Sequence, residues 1–88
     1  MNHENETLRW PGNLDRAGIV ERLVEARAMA DAAGLTNIAM RFTAVETMPS
    51  AEIGAHVIGA LTWIQEKPEY AALTTQLAIV AMNLKNLK

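Results

Sequence analysis

Cysteine is absent from this chain, and its absence removes several kinds of chemistry. Disulfides, thiolate metal sites and a cysteine nucleophile are all excluded. Glycine and proline are sparse, with five and three residues, so the composition is not that of a disordered protein. Serine occurs only at Ser50, directly after Pro49, and capping of the following helix explains this placement better than nucleophilic catalysis does.

The sequence also lacks an excess of basic residues. Eight lysines and arginines stand against ten acidic residues, which gives a formal net charge of −2. A nucleic-acid patch requires clustered basic residues that displace counterions from phosphates. The closest basic pair, Lys85 and Lys88, is explained by the negative end of a helix dipole. Nucleic acid is therefore a disfavoured partner.

No apolar run is long enough to cross a membrane as a helix. Residues 53–64 make up an apolar stretch of about 12 residues, whereas a bilayer requires about 20. Polar residues, among them Asn83, interrupt residues 71–84. The first nine residues are polar and mixed in charge, unlike a signal peptide. We expect a soluble, cytoplasmic protein without a membrane partner.

The length of 88 residues suffices for one domain with a single core. Residues 1–12 have little to bury and are expected to form a loose N-terminal tail that ends in a Pro-Gly turn. Residues 13–88 are expected to form a single helical domain. No internal repeat or low-complexity segment divides the chain.

The first helix has clear boundaries in the sequence. It is predicted to begin near Asn13 or Asp15, whose side chains can accept hydrogen bonds from the first free amides. It is predicted to end at Gly34, with Leu35 folding back as the hydrophobic contact. Residues 36–48 fit both a short helix and an alternating strand. We favour a short helix, because no second β-rich run could pair with a strand.

Two further helices are predicted at residues 51–66 and from Pro68 onward. Lys67-Pro68 separates them, because a residue that precedes proline avoids helical geometry. The break is so short that the two helices should form an antiparallel hairpin. The sequence thus predicts an all-α protein, a three- to four-helix bundle with a C-terminal helical hairpin.

Residues 69–87 carry apolar side chains on two faces. Ile79 and Met82 lie roughly opposite a stripe at helical spacing formed by Leu73, Leu77, Val80, Leu84 and Leu87. A helix that is apolar on two faces has to be covered twice. A second copy of the chain or another protein is the expected cover.

This reasoning predicts a homodimer with an interface made by Ile58, Trp63, Ile79 and Met82. On the sequence alone, either face of the last helix could pack in the core, and the other face would then form the interface. The leading hypothesis is a non-enzymatic protein–protein interaction module, such as a regulator, inhibitor or adaptor.

One polar grouping could bind a ligand or a metal ion. Glu52 and His56 lie one helical turn apart, and Gly59 and Trp63 continue the same face. A carboxylate could orient the imidazole or help ligate a metal ion, and the glycine could admit a ligand. An exposed Glu–His pair explains the spacing more simply, because no third ligand or nucleophile accompanies it. No cofactor is predicted, and an enzyme would require Glu46, Glu52 and His56 around one pocket.

A helix-turn-helix outline supports a second hypothesis, a DNA-binding regulator. Residues 38–46, a turn at 47–49 and the helix from Ser50 resemble the order of that motif's elements. The second helix would present residues 50–55 to the major groove. None of these is Arg, Lys, Asn or Gln, the side chains that read base edges best. Glu52 would also repel phosphate.

Overall fold

The computed structural model describes residues 14–85, and within this range the chain is all-α, as predicted. Four α-helices occur: α1 (Arg16–Ala32), α2 (Thr36–Arg41), α3 (Ser50–Ile64) and α4 (Ala71–Leu84). Two 3₁₀ turns, Val45–Thr47 and Pro68–Tyr70, lead into α3 and α4. None of these helices combines the length and apolarity needed to cross a membrane. The predicted tail, residues 1–12, and Leu87 lie outside the described residues.

Helix α1 begins where the sequence indicates. Asp15 occupies the capping position, and its carboxylate accepts a hydrogen bond of 2.9 Å from the amide of Gly18. The other predicted cap, Asn13, lies outside the described residues. Asp15 therefore accounts for the start of the helix.

Helix α1 ends in a Schellman motif centred on Gly34, whose φ is +78°. The amide of Gly34 donates to the carbonyl of Asp31 at 3.1 Å, and the amide of Leu35 donates to the carbonyl of Ala30 at 2.8 Å. These two bonds satisfy carbonyls that have no partner within the helix. The Leu35 side chain is buried, so the predicted end of this helix is confirmed.

Replacing Gly34 with alanine is expected to lower the free energy of unfolding by about 1–2 kcal/mol, because a Cβ atom is unfavourable at positive φ. Gly34→Asn is the matched control, since asparagine tolerates the left-handed region better than alanine. Urea unfolding followed by circular dichroism measures both variants. Equal stability of Gly34→Ala and the natural chain would contradict the proposed role of this glycine.

The ambiguous segment, residues 36–48, forms a short helix and a 3₁₀ turn, and no strand. Arg27 on α1 is hydrogen-bonded to this segment: its Nη1 donates to the carbonyls of Phe42 at 2.8 Å and Thr43 at 3.0 Å. Arg27 also forms an ion pair of 3.1 Å with Glu46. The core side chains that the segment supplies are Ile38, Phe42, Val45 and Met48.

Helix α3 begins at Ser50 and ends at Ile64, two residues before the predicted end at residue 66. The serine does not cap the helix as predicted, because it is the first helical residue and Pro49 occupies the capping position. Its hydroxyl accepts a hydrogen bond of 3.0 Å from Nη1 of Arg16. Arg16 also donates to the carbonyl of Met48. A side chain of α1 therefore holds the start of α3.

Helix α4 packs against both α1 and α3, while α2 packs mainly on α1. The first half of α3 borders the last turn of α4, so these two helices run in opposite directions. The stripe predicted for the core faces inward: Leu73, Leu77 and Val80 are buried and Leu84 is half-buried. Apolar burial on this face supplies the main driving force for folding.

One polar side chain, Asn83, lies fully buried within that apolar stripe. Its Oδ1 accepts a hydrogen bond of 2.9 Å from the amide of Leu14, and its Nδ2 donates to the carbonyl of Ile79 at 2.8 Å. Both polar ends of the amide are thus satisfied, as burial requires. Asn83 joins the residues that precede α1 to the end of α4.

Candidate functional site

Two of the four side chains predicted at an interface are widely open to solvent. Ile58 on α3 is 59% exposed and Met82 on α4 is 56% exposed. Trp63 is 37% exposed, and Ile79 is half-buried. Isolated exposed apolar residues are ordinary on a protein surface, so these four indicate an interface only if they share one surface.

Ile58 borders an open groove of about 280 Å³ between α3 and α4. We call it the α3–α4 groove, and it is lined by Gly54, Val57, Ile58, Ala81, Leu84 and Lys85. Met82 is not one of the lining residues; it follows Ala81 directly, at about 100° around the axis of α4, and precedes Lys85 by one turn. Among these six lining residues, Lys85 alone carries a charge.

Trp63 and Ile79 lie on other flanks of their helices. Trp63 follows Ile58 by five residues, a separation of about 140° around the helix axis. Ile79 precedes Ala81 by two residues, or about 160°, and its carbonyl is bonded to Asn83 on the side nearest α1. Of the four side chains, Ile58 alone lines the α3–α4 groove, and Met82 is exposed next in sequence to the lining residue Ala81.

Glu52 and His56 do not form a hydrogen bond with each other. Glu52 is exposed, whereas His56 is half-buried with its ring against Phe42, at a centroid distance of 6.4 Å and an interplanar angle of 69°. The Nδ1 atom of His56 is buried without a hydrogen-bond partner among residues 14–85. Glu46, the third acid considered for a pocket, is engaged by Arg27.

Gly59, the glycine of this grouping, leaves room for the side chain of Arg41 from the same chain. The Arg41 guanidinium lies directly over Gly59, where a Cβ atom would be only 2.7 Å from Nη1 and 2.9 Å from Cζ. The sequence indicated that Gly59 permits close approach but did not indicate what approaches. Arg41, at the end of α2, is a functional candidate that the sequence pattern missed.

Arg41 differs from the other arginines that the structure describes. Arg16, Arg22 and Arg27 each donate hydrogen bonds to side chains or carbonyls of neighbouring elements. Arg41 donates to no acceptor among residues 14–85, and its nitrogens are not buried. Its guanidinium is therefore positioned by packing while its donors stay available.

Trp63 continues the flank of α3 on which Arg41 lies, one turn beyond Gly59. The Nζ atom of Lys67 stands 4.3 Å from the centroid of its indole ring, within the range of a cation–π contact. Two cationic groups thus flank this side of α3, one near Gly59 and one over Trp63.

A wider groove of about 530 Å³ separates α1 from α2. Met40, which is 68% exposed, stands at its rim, and Arg27 and Asp31 contribute charge to its lining. Because Arg27 is engaged by carbonyls and by Glu46, its charge is largely satisfied within the protein. This groove is wider and more polar than the α3–α4 groove.

Neither metal binding nor DNA binding has direct support among residues 14–85. Within residues 14–85, no group of three or more His, Asp or Glu side chains could hold a metal ion. In the first turn of α3, the helix proposed to read DNA, the acidic Glu52 is exposed and Ile53 is buried. The Ser50 hydroxyl is bonded to Arg16.

Comparisons of the chain with protein-family models, with curated proteins and with solved structures give no match. Its function therefore has to be inferred from the surfaces described above, the α3–α4 groove and the Arg41 side of α3.

Proposed function

We propose that this protein is a small helical bundle that acts through association, and that it forms a homodimer through the α3–α4 groove. The observations that carry the proposal are the exposed Ile58 in the lining of an apolar groove and the exposed Met82 next in sequence to the lining residue Ala81. Large apolar side chains that border a groove are typical of protein contacts. The dimer would then serve as a regulator, inhibitor or adaptor of another protein.

A second copy is the favoured occupant because this face contains both halves of a complementary contact. Ile58 and Met82 project, whereas the small residues Gly54 and Ala81 leave a hollow beside them. A two-fold axis pairs each projecting side chain with the partner's hollow, and the contact is made twice. None of the described residues that line the groove is acidic, so pairing brings no like-charged carboxylates together.

The contact is modest in size, and we expect a weak dimer, with a dissociation constant in the millimolar range or above. Full burial of an Ile or Met side chain contributes roughly 1.5–3 kcal/mol, and each copy offers about half of that for Ile58 and Met82. Association costs at least about 4 kcal/mol in lost freedom. The balance favours a dimer that forms and dissociates with concentration.

Association is favoured over catalysis by the state of the polar residues. Glu52 and His56 are not hydrogen-bonded to each other, and the carboxylate of Glu46 is held by Arg27. A carboxylate that orients an imidazole for acid–base chemistry is hydrogen-bonded to it, and Glu52 and His56 do not make this contact. The apolar groove is therefore the better basis for a function.

Replacing Met82 with aspartate is expected to weaken dimerisation at least about tenfold, because the charge would have to be desolvated at the contact. Light scattering over a concentration series measures the solution mass of the natural chain and the variant. Met40→Asp is the matched control, since Met40 is exposed at the rim of the other groove. A natural chain that stays monomeric at all concentrations, or equal dimerisation of Met82→Asp, would refute the proposal.

A further inference from the structure

The Arg41 side of α3 shows an arginine that is held in place without an acceptor among the described residues. Arg41 is half-buried, and its guanidinium packs on the backbone of Gly59. An arginine presents five donors in a planar fork that matches a carboxylate or phosphate group. The other described arginines use this fork within the protein, and Arg41 does not.

Gly59 is the feature that makes this placement possible. Glycine inside a helix is unfavourable compared with alanine, and at Gly59 the Arg41 guanidinium occupies the space that a side chain would need. Any Cβ atom here would lie 2.7 Å from Nη1 of Arg41, closer than atoms can approach. At Gly54, in the same helix, a Cβ atom would meet nothing within 4 Å, which shows what an unconstrained glycine looks like.

The surroundings of Arg41 suit a single oxyanion on a larger ligand. His56 precedes Gly59 by one turn, and its Nδ1 is buried without a hydrogen-bond partner among the described residues. Lys67 adds a second cation over the Trp63 ring on the other side. Glu52, two turns before Gly59, limits the site at its far end, because its carboxylate keeps the other carboxylates of an acidic segment away from that end.

We infer that Arg41, supported by Gly59 and Lys67, binds a carboxylate or phosphate group of an acidic segment in a partner protein. The charge of this flank selects the partner, and the Trp63 ring offers an apolar surface beside the contact. The inference extends the proposed association to a different face, so it does not depend on dimerisation through the α3–α4 groove. Light scattering and the binding experiment below report the two separately.

The test follows the Arg41 side-chain Nε–Hε signal by NMR while hexaglutamate, acetate or inorganic phosphate is added. We expect a saturable shift with hexaglutamate, and the two small anions tell whether a carboxylate or a phosphate alone is sufficient. Gly59→Ala should weaken hexaglutamate binding about tenfold, as loss of a bidentate contact implies, while its melting temperature stays equal or rises. Ala17→Gly, at an exposed position of α1 away from both surfaces, is the control and should bind like the natural chain.

Two further variants keep the test decisive. Arg41→Lys retains the charge without the planar fork and should also bind more weakly. Glu52→Gln should bind more tightly, because it removes the nearby repelling carboxylate. An Arg41 signal that hexaglutamate does not move, or equal binding by Gly59→Ala, Arg41→Lys and the natural chain, would overturn the inference.

Discussion

Replacing Phe42 with alanine is expected to lower the free energy of unfolding by about 3–5 kcal/mol. Phe42 is the largest of the fully buried side chains and contacts the His56 ring across the α2–α3 junction. Truncation removes apolar contacts and leaves a cavity that a short helix cannot close by collapse. A domain of 88 residues has a total stability of about 4–13 kcal/mol, so this variant would be near the limit of folding.

Phe42→Leu is the control for this experiment, because it retains most of the apolar volume and should cost about 1 kcal/mol. Urea unfolding followed by circular dichroism gives both values. If Phe42→Ala and the natural chain unfold at the same urea concentration, then α2 does not belong to the core as described.

Replacing Arg27 with methionine is expected to lower the free energy of unfolding by about 2–3 kcal/mol. Methionine preserves the aliphatic part of the side chain but removes the charged donors to the carbonyls of Phe42 and Thr43. Hydrogen bonds from charged groups contribute about 1.5–3 kcal/mol, and the carbonyls would lose their partner at the end of a short helix. Thermal and urea unfolding measure the loss.

Glu46→Gln separates the ion pair from these carbonyl contacts and should cause a much smaller loss, because the Glu46 side chain is half-exposed. The side-chain hydrogen bond from Arg27 and a backbone hydrogen bond hold the pKa of Glu46 below its ordinary value of 4.5. A lowered pKa means that ionised Glu46 stabilises the fold above about pH 4.5, and that this contribution disappears as the pH falls through the folded-state pKa. The variant and the natural chain should therefore converge in acid. A difference that grows in acid would contradict this ion pair.

Local signals in the sequence were sufficient where one residue type determines the backbone. Gly34 ends α1 because few other residues adopt positive φ, and Asp15 begins it because a carboxylate can accept from a free amide. The all-α class followed from apolar residues at helical spacing and from the lack of a second β-rich run. These features involve contacts between residues that are close in sequence.

Contacts between distant residues were beyond the reach of sequence patterns. Asn83 looked like an interruption of an apolar segment, yet it is buried and bonded to Leu14, 69 residues earlier. Gly59 and Trp63 were grouped with Glu52 and His56 by helical spacing, but the side chain that occupies this flank comes from Arg41 on another helix. Periodicity predicts which residues share a face but not what packs against it.

The residues predicted for the interface also show that helical spacing does not specify how helices pack. Ile58, Trp63, Ile79 and Met82 were grouped because all four fall outside the apolar stripes assigned to the core. The packing of α3 against α4 leaves Ile58 lining one groove, Met82 exposed next in sequence to the lining residue Ala81, and the other two on different flanks. The direction in which a helix faces its neighbour depends on the packing of the whole domain, which helical spacing alone does not specify.

The most direct test of self-association through the α3–α4 groove uses the absence of cysteine from the chain. A Lys85→Cys variant that carries a nitroxide spin label is mixed with the natural chain enriched in ¹⁵N, and amide line broadening between copies is measured by NMR. We expect broadening centred on Ile58 and Ala81 that grows with concentration. Broadening centred on Met40, or no broadening at concentrations of several millimolar, would contradict a dimer through this groove.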